Sequence, residues 1–132
     1  MSGDLRLELF YDDVDQALAF YTGVLGFTAL PSEHATYRPI ERHGIRLALQ
    51  TIDLLPDDHP LLAGGRHAPR GQGVEVVLEV DDLKALHARV QASGVEATPL
   101  EMRAWGLADF RVLDPGGYYL RITTPAAEVG ER

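Results

Sequence analysis

Residues with chemistry to offer lie on alternate positions of short apolar runs, not in one compact motif. Arg6, Glu8 and Phe10 alternate with Leu5, Leu7 and Leu9. Glu75 and Glu79 alternate with Val74, Val76, Leu78 and Val80, and Tyr119 and Arg121 with Tyr118, Leu120 and Ile122. A guanidinium offers a fork of donors that matches a carboxylate, and a glutamate accepts from an amine. Such a set can hold a polar small molecule, or its members can neutralise one another as an ion network. The other familiar chemistries are poorly served. Without cysteine there is no disulfide, thiolate ligand or thiol nucleophile. Of the five histidines, His34, His43, His59 and His67 lie in loops or ill-defined strands without ligand spacing, and His87 is expected on the exposed face of a helix. Ser2, Ser32 and Ser93 look peripheral, with no Ser-His-Asp arrangement, and Gly64-Gly65 is followed by neither a helix nor a lysine that would cradle phosphate.

The elements that must position these side chains read clearly in places. Period-2 alternation over residues 5–10 predicts a strand with one buried face. Asp12 or Asp13 can cap a helix over about 13–25, with Val14, Ala17, Leu18 and Tyr21 as its apolar stripe and Gly26 near its end. Residues 27–42 hold two short strands around Pro31 and Pro39, and Gly44 opens a strand through Ile45, Leu47 and Leu49. The grammar then repeats: a strand over 74–80, Asp81-Asp82, and a helix over 82–93 with Leu83, Leu86 and Val90 on one face. Strand-like segments follow at 97–104 and 108–113, then the Asp114-Pro115-Gly116-Gly117 turn and a closing strand. Asp114 belongs to that turn, and Tyr21 to the core.

Aligned on Asp12-Asp13 and Asp81-Asp82, the halves match in element order and strand parity, and residues 44–51 match 117–124. This is a divergent duplication of a β-α-β-β-β module. One domain is expected: module 1 over about 4–51, a proline- and glycine-rich linker over 52–72, module 2 over about 73–124, and a solvated tail from 125 to 132. At 132 residues, 45% hydrophobic and 24% charged, the chain is ordinary globular protein. Its formal charge of −8 opposes a nucleic-acid backbone. No apolar run is long enough for a membrane span, and the opening residues lack a leader pattern, so a cytoplasmic location is expected.

Asp13 with Ala19-Phe20-Tyr21, Val24-Leu25-Gly26-Phe27, Trp105-Gly106, Phe110 and Asp114-Pro115-Gly116-Gly117 together carry a resemblance to the vicinal oxygen chelate superfamily. That superfamily includes glyoxalase I, bleomycin-resistance proteins and extradiol dioxygenases. The resemblance covers all but the linker and tail. It implies an α+β fold whose two modules curl mixed sheets around a cupped pocket, commonly in a homodimer.

Metal-dependent members project His or Glu from the first and last strand of each module. Carried over, those positions are Arg6, Ala48, Glu75 and Arg121. Arginine has no lone pair for a cation and alanine offers nothing, so no metal and no cofactor are expected. Arg6, Glu75 and Arg121 should instead lie in mutual contact. The resemblance also makes Trp105 an aromatic wall for a flat ligand. The ligand-binding set is then Arg6, Glu8, Phe10, Glu75, Trp105, Tyr119 and Arg121, with Arg46, Gln50 and Glu79 on the same cup face. The leading reading is a metal-free protein that sequesters a small organic ligand. The alternatives are a metal-dependent lyase, isomerase or dioxygenase with an atypical ligand set, a metal-free enzyme using Glu75 as base, and an interaction domain without a ligand. Two nearby cations favour ionised Glu75 and weaken it as a base.

Overall fold

The computed structural model describes residues 3–125. The first two residues and the expected solvated tail beyond Pro125 fall outside them. The chain divides into two compact units, residues 1–70 and 71–132.

In the first unit, β1 (Leu7–Tyr11) leads into α1 (Val14–Ala19), followed by β2 (Thr28–Ala29), β3 (Tyr37–Arg42) and β4 (Ile45–Thr51). The sheet order is β1-β4-β3-β2, with β1 parallel to β4 and the other pairs antiparallel. The parallel pair requires a crossover, and α1 with the strands after it supplies it. Asp13 caps α1 by accepting a 3.1 Å bond from the Gln16 amide. After Ala19 the helix widens into a π-helical turn, Phe20–Val24, where the Leu25 amide reaches back to the Phe20 carbonyl. The widened turn brings Phe20, Tyr21 and Leu25 into the core, while Leu18, expected on the stripe, is only half-buried. Tyr21 meets Phe20 and Phe27 edge to face. Gly26 follows with φ 78°, a conformation that few side chains tolerate. Pro39 lies within β3, whereas Pro31 falls beyond β2.

The stretch after β4 is ordered by Arg66. Its guanidinium donates to the Ile52 and Leu55 carbonyls, each at 3.0 Å, and to Asp57 at 2.7 Å.

The second unit repeats the plan: β5 (Val76–Glu79), α2 (Leu83–Ala92), β6 (Glu101–Met102), β7 (Ala108–Leu113) and β8 (Tyr119–Thr123), in the order β5-β8-β7-β6. β5 is parallel to β8. The duplication extends to register. Glu8 faces Ala48 and Phe10 faces Gln50 in the first sheet; their equivalents Val77 and Glu79 face Arg121 and Thr123 in the second. Val76, Leu78, Phe110, Val112, Leu120 and Ile122 are buried, whereas Val74 precedes β5 and is exposed. Asp82 stands at the N-cap of α2, and Asp114 closes its turn by accepting from the amides of Gly116 and Tyr118, each at 2.9 Å.

His87 is a correction. It is buried, its Nε2 is 2.9 Å from the Thr98 carbonyl oxygen, and its ring lies 4.8 Å from that of Phe110. A satisfied ring nitrogen makes burial of this polar side chain tolerable.

Candidate functional site

Strand parity divides each sheet into a face that buries its aliphatic residues and an open face. On the open face of the first unit, Glu8 is a hub. Its carboxylate accepts from the Gln50 side-chain amide at 2.7 Å and from the Tyr37 hydroxyl at 3.2 Å, and Arg6 Nε is 2.9 Å away. Cross-strand register explains the convergence, because Phe10, Gln50 and Tyr37 lie abreast on β1, β4 and β3, two residues beyond Glu8 and Ala48 and so on the same face. Burial, then the negative Glu8, then its hydrogen bond push the Tyr37 phenol above its ordinary range. Arg6, Glu8 and Tyr37 line an open cleft of about 1080 Å³ with Leu30, Pro39 and Arg46. Phe10 is half-buried beyond Glu8 on the same face.

The open face of the second unit carries Glu75, Trp105, Tyr119 and Arg121 together. Arg121 meets Glu75 through two contacts of 3.3 Å. Its guanidinium carbon lies 5.7 Å from the centroid of the Trp105 ring, which is 41% exposed. The Tyr119 phenol is raised, first by burial and then by Glu75, against the lowering pull of Arg111.

Beneath this group is Asp109, fully buried on β7. One oxygen accepts a 2.8 Å bond from Arg103 Nε; the other lies 3.7 Å from an Arg121 terminal nitrogen and accepts no hydrogen bond. Arg103 also reaches Glu101 at 3.0 Å. Tyr37, Arg103, Asp109 and Arg111 were not among the candidates. For two of them a signal was present, since alternation about buried Phe110 places Asp109 and Arg111 on the open face.

Within the second unit Arg121 takes Glu75 as expected, and within the first Arg6 takes Glu8 as partner. The donor set does not fit a metal. At the four positions two guanidiniums and a methyl accompany a single carboxylate that already binds Arg121. Among the described residues no group of three or more His, Cys, Asp or Glu could hold an ion. Nor is any helix among them long and apolar enough to cross a membrane.

The family model described as "Glyoxalase/Bleomycin resistance protein/Dioxygenase superfamily" matches residues 5–122, and the chain belongs to that superfamily. No curated protein matches it. Among solved structures it is similar to TioX from Micromonospora sp. ML1, at 24% identity and a TM-score of 0.75, over 93% of this chain and 98% of that one. It is also similar to a bleomycin-binding protein complexed with bleomycin, at 22% identity and a TM-score of 0.69, over 94% and 99% of the two chains. A third similar structure is lactoylglutathione lyase from Agrobacterium tumefaciens, at 18% identity and a TM-score of 0.70, over 94% of each chain. A binding protein and a lyase share this fold, so the fold alone does not choose between them.

Proposed function

We propose that this protein binds a small organic molecule without a metal, through Arg6, Glu8, Phe10, Glu75, Trp105, Tyr119 and Arg121. The observation that carries the reading is the half-exposed Trp105 ring beside an Arg121 that Glu75 and Asp109 hold in place. A rigid aromatic surface flanked by oriented polar groups is how a site grips a flat, polar ligand. The tie of Glu75 to Arg121 keeps its carboxylate occupied by a guanidinium, which supports binding over catalysis. The bleomycin-bound relative makes bleomycin a reasonable first probe.

Calorimetric titration with bleomycin and with smaller planar compounds tests this. At least one should bind saturably to metal-free protein, and Trp105→Ala should weaken it up to about tenfold, the scale of one aromatic contact. Absence of binding across the panel would refute the reading. We further propose a cytoplasmic homodimer, since open sheets leave strand edges to be covered; light scattering at a monomer mass over a wide concentration range would contradict the dimer.

A further inference from the structure

Two arginines face each other across neighbouring strands of the second unit, Arg111 on β7 and Arg121 on β8. Like charges directly opposite repel. Arg121 is compensated by Glu75 and Asp109. Arg111 is not. Its backbone amide donates to Thr98 Oγ1 at 2.8 Å, but its Nε is buried with no hydrogen-bond partner, and no carboxylate among the described residues forms an ion pair with it. Desolvating a charged donor without a partner is costly.

Arg111 lines a shallow cleft of about 770 Å³ whose walls include Thr98, Pro99, Leu113 and Tyr119. Leu113 is 62% exposed there, an apolar surface beside an unsatisfied cation. Glu96 stands on the lining too, without pairing to Arg111. We propose that this cleft is a carboxylate subsite, in which the Arg111 guanidinium takes the acid group of a small ligand whose apolar body lies against Pro99, Leu113 and Tyr119. One uncompensated guanidinium matches a single monoanionic carboxylate, which it can grip through two parallel bonds. The overall negative charge does not forbid this, because charges beyond about 8 Å are largely screened at physiological salt. The inference rests on the small-molecule reading above and adds the chemistry of one end of the ligand.

Benzoate and benzamide, alike in shape and different in charge, are the probes. Titrated into the full chain labelled with nitrogen-15, benzoate should shift the Arg111 Nε–H resonance saturably and bind about tenfold tighter than benzamide. Arg111→Gln should abolish that preference. Arg111→Lys, which keeps the charge and the stem but not the fork, should lose most of it, and serves if the glutamine variant does not fold. Equal binding of the two probes, or benzoate binding unchanged in a folded variant, would overturn the subsite and leave the small-molecule reading standing. Failure of both probes together with the bleomycin and planar-compound panel would overturn both.

Discussion

The buried carboxylate of Asp109 accepts a 2.8 Å hydrogen bond from Nε of Arg103, six residues earlier, across the turn that carries Trp105. Its second oxygen faces Arg121 at 3.7 Å. A single carboxylate thus ties the base of the Trp105 turn to the strand that presents Arg121, and Arg121 in turn lies 5.7 Å from the Trp105 ring centroid. The aromatic surface and its cation are held as one unit from below.

Asp109→Ala should therefore cost about 3 kcal/mol, because it leaves two largely buried guanidiniums short of a partner. Urea denaturation measures the loss. Acrylamide should also quench Trp105, the only tryptophan, more readily once its turn is released. An unchanged urea midpoint and unchanged quenching would show that Asp109 does not organise this group.

Glu8 plays the equivalent part in the first unit, but nearer to water, with its side chain 31% exposed. Glu8→Ala removes the acceptor for Gln50 and Tyr37 and the partner of Arg6. Solvent screening reduces the charge contribution, so the expected loss is about 1–2 kcal/mol, smaller than at Asp109. The same denaturation experiment ranks the two; a larger loss at Glu8 would reverse the assignment of which carboxylate matters more.

Two tyrosines give a pH signature. Burial first, with Glu8 and Glu75 adding to it, raises the Tyr37 and Tyr119 phenols above the ordinary value near 10. A raised folded-state value means that the folded protein holds these protons more tightly than the unfolded chain. The associated stability is complete below about pH 10 and is lost as pH rises through the folded values. Phenolate absorbance should develop later in native protein than in urea. Glu75→Gln should advance only the Tyr119 portion, and only partly, since burial remains. Coincident native and denatured titration curves would contradict this.

Much of the fold was legible because alternation in β1, β5 and β8 and the paired aspartates state the repeat directly. The register follows from parity once one face is buried. Other features depend on contacts that periodicity does not encode. His87 falls four residues after Leu83 on the buried stripe, yet only the Thr98 carbonyl makes its burial affordable. The π-helical turn after Ala19 rests on a backbone bond that no side-chain pattern announces. Alternation about Phe110 places Asp109 on the open face but not its burial, which comes with Arg103 across a turn whose geometry composition does not set. Arg6 pairs with Glu8, two residues away, and such a local pair requires little ordering of the chain.

The most direct test of metal-free ligand binding is the emission of Trp105, titrated with the planar compound that calorimetry selects, before and after exhaustive treatment with a chelator. The lone tryptophan makes the signal specific to this site. A saturable change with the same midpoint in both samples is the predicted result. A response that disappears on chelation and returns with one equivalent of a divalent ion would contradict the account, and would place a metal where Arg121 and Glu75 now pair.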